Sequence, residues 1–210
     1  MLELIPLGIN GFFPSHDRQT MSFLLLTEKE ALVLDAGTGI ARLLEEDIRR
    51  RLEQYDSLNI ILSHYHLDHF VGLSYLPGLW SKKVKVYAPS EPFIGTDPKC
   101  AINKLLNPPL YSLTLDTLPM PFEVIPMTKP NITVGEVNIM IWAQKHPGGS
   151  IGIRIGDDLA YVTDTIVDFD NVEKIRNVHL LMHEVWMTDA EADLDPAERG
   201  KHSYLSGVAG

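Results

Sequence analysis

Short apolar runs separated by turn-forming clusters dominate the chain. Residues 2–7, 22–26, 31–34, 58–62, 84–87, 122–125, 137–142, 151–155, 159–162 and 178–182 are rich in Ile, Val and Leu and bounded by Gly, Pro, Asp or Asn. That is the signature of buried strands. Glu28-Lys29-Glu30 and Asp157-Asp158 read as polar turns between paired runs. Helical spacing is rarer. Ile40, Leu43, Leu44, Ile48 and Leu52 predict one amphipathic helix over 38–55, with Thr38 or Gly39 as its cap. A short helix is expected over 70–76, stopped by Pro77-Gly78, and another from Ser203 to the chain end at Gly210. Early hairpins followed by strands alternating with helices suit an α/β fold of two packed sheets with helices outside.

Residues 88–130 interrupt this pattern with nine prolines. The same stretch carries Phe93, Leu105, Leu106, Leu110, Tyr111, Leu113, Leu115 and Leu118, too apolar for a solvated tether. It reads as an irregular insertion packed over one edge of the sheets.

Composition narrows the function classes. The 210 residues predict a single domain over 1–210, large enough to bury about 70% of its unfolded surface without a structural metal. Any metal is therefore expected for chemistry. A formal charge of −10 argues against a broad nucleic-acid footprint or an anionic-membrane surface. Cys100 is the only cysteine, so it forms no intrachain disulfide and no thiolate cluster; it reads as a small core residue. The start lacks the marks of a secretory signal, and no apolar run reaches the roughly 18–20 residues of a membrane span, so a cytoplasmic location is expected.

The chemistry concentrates in "NIILSHYHLDHFVGL", residues 59–73. An apolar strand runs into a loop, and alternate residues of an extended loop project to one side. His64 and His66 can thus reach one cation together, while Asp68 and His69, at the turn into a helix, can face a second. Three imidazoles and a carboxylate in six residues suit Zn²⁺, Mn²⁺ or Fe. A solvated histidine-rich loop is the plain alternative, and its position behind a fully apolar strand argues against it. His16 and His179, by contrast, stand alone and read as surface residues or supports.

These residues resemble a family. "SHYHLDH" is similar to the H-x-H-x-D-H signature of the metallo-β-lactamase superfamily, and its companions follow in order. The resemblance implies that His146 is a third histidine for the first metal, that Asp164 bridges two metals, and that Asp35 is an outer carboxylate orienting an imidazole. It also implies an αβ/βα sandwich of two mixed sheets with helices on the outer faces, and a homodimer. Two more segments resemble the branch of tRNase Z and small phosphodiesterases. "LLMHEVW" supplies His183 and Glu184, and "KHSYLSG" supplies His202. In that branch the glutamate and histidine protonate a leaving oxygen, which makes Asp68, Glu184 and His202 the implied catalytic set; edge-strand and helix-start polar residues are the bland alternative for the last two.

The chain departs from the pattern twice. The superfamily's last metal-ligating histidine follows the helix begun at Ser203, so a frame truncated at Gly210 and a weakly held second zinc are expected. Residues 70–145 hold seven lysines as their only bases, with proline rather than glycine prominent. The resemblance to tRNase Z is therefore to its catalytic face and not to its tRNA grip. The leading expectation is a metal-dependent phosphodiesterase acting on a small or cyclic phosphodiester or an RNA 3′ end through a water shared by two cations. Hydrolysis of a thioester, lactone or other carboxyl-derived bond is the alternative, since the same activated water attacks a carbonyl. An inactive truncated member is the third.

Overall fold

The computed structural model describes residues 2–209. The Gly210 end of the helix expected from Ser203 lies outside them. The chain divides into two compact units, one running to Ser90 and including Thr96–Met127, the other made of Glu91–Gly95 and the chain from Thr128.

The first unit is built on a mixed six-stranded sheet in the order β1-β2-β3-β4-β5-β6. Its strands are β1 (Glu3–Gly8), β2 (Ser22–Leu26), β3 (Ala31–Leu34), β4 (Ser57–Ile61), β5 (Lys83–Pro89) and β6 (Phe122–Met127). β1, β2 and β3 pair antiparallel, and β3 to β6 run parallel. Every residue of β2 and β3 is buried. Strands covered on both faces read as continuous apolar runs, which is why these were legible without alternation. Alternate side chains, Leu24, Val33, Leu58, Ile60, Val84 and Val86 among them, form one core with Ile40, Leu43, Ile48, Leu52, Leu73 and Leu76 from the connecting helices.

Those helices are α1 (Glu46–Leu52), α2 (Leu67–Phe70), α3 (Leu76–Leu79) and α4 (Pro98–Leu105). The single helix expected over 38–55 is two: a 3-10 stretch Thr38–Leu44, a break at Glu45 with ψ 132°, then α1. Thr38 does not cap it. Its hydroxyl accepts from the Thr20 amide and its amide donates to the Thr20 hydroxyl, tying the helix start to the segment before β2. Pro77 does not stop a helix either. It sits in the first turn of α3, where its missing N–H costs nothing. The proline-rich stretch is packed rather than tethering: Ile102, Leu106 and Met120 belong to the core. Cys100, expected inside, is exposed, because α4 buries Pro98 and Ile102 and turns the cysteine outward.

The second unit carries a mixed five-stranded sheet in the order β11-β10-β9-β8-β7. Here β7 (Asn131–Val134), β8 (Val137–Gln144), β9 (Ser150–Ile155) and β10 (Leu159–Val162) form antiparallel hairpins. β11 (Leu180–His183) returns parallel to β10 after α5 (Val172–Ile175). Three short helices follow: α6 (Asp189–Leu194), α7 (Pro196–Arg199) and α8 (Leu205–Ala209). Among the described residues no helix is long and apolar enough to cross a membrane.

Candidate metal centre

In the first unit the loop after β4 is pinned to the end of β3. Asp35 follows β3 with φ 57°, a left-handed conformation that costs a non-glycine residue about 1–3 kcal/mol. Its carboxylate is fully buried and accepts the Ser63 amide (2.6 Å), the Ser63 hydroxyl (2.7 Å) and His69 Nδ1 (2.7 Å). The backbone closes around it, with Ala36 N donating to His69 O (2.8 Å) and Gly72 N to Ala36 O (2.7 Å). Gly72 permits this approach: a Cβ there would stand 2.3 Å from the Gly37 carbonyl oxygen.

These hydrogen bonds settle two tautomers. The Ser63 hydroxyl gives its proton to Asp35, so at 2.9 Å from His64 Nδ1 it accepts, and His64 carries its hydrogen on Nδ1. His69 Nδ1 faces a carboxylate and carries a hydrogen as well. In both rings the lone pair is left on Nε2, and a metal takes an imidazole through its unprotonated nitrogen. The His64 ring lies 4.7 Å from that of His66 and 4.3 Å from that of His69, centroid to centroid. Asp68 Oδ2 stands 3.4 Å from His69 Nε2 and accepts the Phe12 amide at 2.7 Å.

The second unit repeats this construction. Asp164 follows β10 with φ 36°, again left-handed. The Thr163 hydroxyl donates to its Oδ1 (2.9 Å), and the Ser150 hydroxyl to its carbonyl (2.7 Å). His146 Nδ1 donates to the Lys201 carbonyl (3.1 Å), which leaves its Nε2 lone pair 3.5 Å from Asp164 Oδ2. Tetrahedral zinc with bonds of 2.0–2.1 Å spaces neighbouring ligand atoms about 3.3–3.4 Å apart. The Asp68–His69 and His146–Asp164 separations match that edge better than they match a hydrogen bond. The donors are imidazole nitrogens and carboxylate oxygens throughout, as zinc or manganese takes.

Beside His146, with ring centroids 5.0 Å apart, lies His202. Its Nδ1 donates to Glu184 Oε2 at 3.0 Å. Glu184 is held in turn by the amides of Thr165 (2.6 Å) and Ser203 (3.3 Å) on Oε1. Burial presses the His202 imidazolium to lose its proton. The Glu184 hydrogen bond and charge, with Asp164 and Glu198 behind them, outweigh burial and raise the ring above the ordinary imidazole value. The Trp186 ring stacks on His202 at 4.6 Å. His183 turns to the Glu184 carbonyl (2.8 Å) and does not join the pair. His16 and His179 are at the surface.

Sequence reasoning missed the supports: Ser63, Thr163, Thr165, Ser203 and Trp186. Adjacency was the available signal for Ser63 and Thr163, each preceding a metal-type residue. No periodicity marks the others, because a loop-to-loop contact has none.

The chain is similar in sequence and in fold to several known proteins. A family model described as Anti-Pycsar protein Apyc1 matches residues 2–195. Ribonuclease Z of Pyrococcus abyssi is 31% identical over 126 residues, 57% of this chain and 39% of that protein. The chain spans between a quarter and two fifths of the first ribonuclease Z relatives it matches. The metallo-β-lactamase fold protein YhfI from Bacillus subtilis superposes with a TM-score of 0.71 at 20% identity, over 97% of this chain and 77% of that one. Human tRNase Z, short form, gives 0.71 at 19% identity, over 100% of this chain and 86% of that one. Two mixed sheets with helices are the fold these structures share. The chain has the metallo-β-lactamase fold and belongs to the Anti-Pycsar protein Apyc1 family.

Proposed function

We propose that the protein is a metal-dependent phosphodiesterase acting on a small or cyclic phosphodiester or an RNA 3′ end. His64, His66 and His146 would hold one zinc ion, and Asp68, His69 and Asp164 a second; manganese suits the same donors. When bound, such ions supply Lewis acidity at the phosphoryl oxygens and lower the pKa of the attacking water. The chain's own residues do the rest. Ser63, Asp35 and the Lys201 carbonyl fix the tautomers of His64, His69 and His146 so that these three rings offer Nε2. Glu184 holds His202 by Nδ1, which leaves Nε2 to deliver a proton to the departing oxygen.

The observation that carries the reading is the Glu184–His202 pair set against His146. A phosphodiester leaves as a strongly basic alkoxide and gains from an acid at that oxygen. A thioester leaves as a thiolate and needs none.

Replacing His202 with Ala tests this. On a phosphodiester with a poor alkoxide leaving group the rate should fall about 10²–10⁴-fold, the usual yield of general acid catalysis. With a nitrophenolate leaving group the loss should be far smaller. Equal losses on both substrates would remove His202 from the acid role.

A further inference from the structure

The segment after β11 carries acidic and apolar surface that the metal centre does not use. Between Thr188 and Lys201 stand five carboxylates, Asp189, Glu191, Asp193, Asp195 and Glu198, against two cations, Arg199 and Lys201. α6, α7 and the two residues Trp186 and Met187 border an open groove of about 310 Å³. Trp186, Met187 and Leu194 give it apolar walls, and Glu191, Asp195 and Glu198 complete the lining. Leu194 is 85% exposed, and Trp186 keeps 42% of its surface open although His202 stacks on its ring. One exposed leucine alone means little. Here it shares a concavity with a half-open tryptophan and a methionine, which is the form of a binding surface.

The carboxylates keep their charge and have hydrogen-bonding capacity left. Glu191 Oε2 accepts from the Thr188 amide and hydroxyl, both at 2.8 Å, which holds its carboxyl below the ordinary range. Asp195 Oδ1 accepts the Glu198 amide at 3.1 Å, and Glu198 Oε1 pairs with Lys201 Nζ at 2.5 Å. The second oxygen of each has no partner among the described residues. Lys201 offsets Glu198, and Arg199 turns to Asp193 and to the Tyr204 ring. Glu191 and Asp195 are left without an ion pair.

We infer that this groove binds a small organic cation, an alkylammonium ion whose apolar groups lie on Trp186, Met187 and Leu194 and whose charge faces the indole ring, Glu191 and Asp195. A cation on an indole face is attracted by the ring quadrupole, and adjoining carboxylates add to that attraction. The volume lies at the small end of ligand sites, room for one such ion. A second copy of this chain, itself at −10, brings no surplus of cations to the groove. None of the six lining residues is a metal donor, so binding does not depend on the proposed reaction.

Calorimetric titration with choline and with 3,3-dimethylbutan-1-ol, a neutral molecule of the same shape, isolates the charge. Choline should bind about 10-fold more tightly, as a cation–π contact beside carboxylates allows. The Glu191→Gln/Asp195→Asn variant removes two charges and keeps both helix caps, because amide oxygens accept as carboxylates do. In it choline should fall to within about twofold of the alcohol, whose own affinity holds. Trp186→Leu keeps apolar area and should erase the same preference. Leu194→Lys places a cation at the rim, where the native side chain buries little, and should weaken choline while sparing the alcohol. Chelator-treated and zinc-loaded protein should bind choline equally.

Choline that fails to bind, or binds no better than the alcohol, overturns the proposal. So does a preference that survives the loss of both carboxylates or of the indole. Choline binding that follows zinc content would place the cation at the metal centre and overturn it as well.

Discussion

Ser63 illustrates how much of the site depends on residues with no reactive role. One hydroxyl donates to Asp35 and accepts from His64, so it sets a tautomer and satisfies a buried carboxylate at once. In Ser63→Ala, His64 loses the acceptor that fixes its Nδ1 hydrogen. Zinc affinity should fall about 10–100-fold, the usual cost of losing an outer partner of a metal ligand, with the fold retained. Titration with a zinc indicator checks this, and unchanged affinity would make the hydroxyl incidental. Glu184 yields a pH prediction. In the proposed role of acid His202 must be protonated, so activity should be present below its raised pKa and be lost as pH rises through it. Glu184→Gln keeps the shape and removes the charge that helps raise the pKa, so the alkaline limb of the rate profile should move to lower pH. A limb that stays put would belong to another group. At this scale the histidines and aspartates were legible because their types and spacing are chemically unusual. Ser63, Thr165 and Ser203 were not, since a serine or threonine in a loop is the commonest thing there.

Among the elements, the strands were read nearly to the residue in the buried centre of each sheet and less well at the rims. β7 was missed altogether: Asn131–Val134 is four residues with only Ile132 and Val134 apolar, a pattern that loops share. β11 begins two residues later than expected. The helix over 38–55 failed for a different reason. Ile40 and Leu43 are three apart, a spacing common to 3-10 and α-helices, so periodicity cannot show where one gives way to the other. What sets the break is tertiary: Arg42 grips both Glu45 oxygens and the Pro6 carbonyl at 2.7–2.9 Å. Gly72, at the start of the 3-10 stretch Val71–Tyr75, gives the element-scale prediction. In Gly72→Ala the added methyl meets the Gly37 and Ala36 carbonyl oxygens at 2.3 and 2.7 Å, so the turn after the histidine loop must shift. A loss of about 1–3 kcal/mol in urea unfolding is expected from such overpacking, together with weaker zinc binding. Unaltered stability would mean that the backbone approach at Gly72 is slack.

For the molecule as a whole, the fold class was readable because buried strands and a histidine-rich loop behind one of them appear in a fixed order along the chain. The substrate was not, because one fold with one kind of metal site supports attack on phosphorus or on a carbonyl. Charge narrows the field without closing it: a formal net charge of −10 disfavours polyanions as a general rule, and a small diester would still be drawn to a metal held by these donors. Donor chemistry points to metal, and the Glu184–His202 pair points to a basic leaving group. Both expectations meet in one measurement. Protein stripped with a chelator should be inert, and added zinc should restore hydrolysis of an alkyl phosphodiester but not of a thioester. Zinc-restored cleavage of the thioester with the phosphodiester left intact would contradict the account.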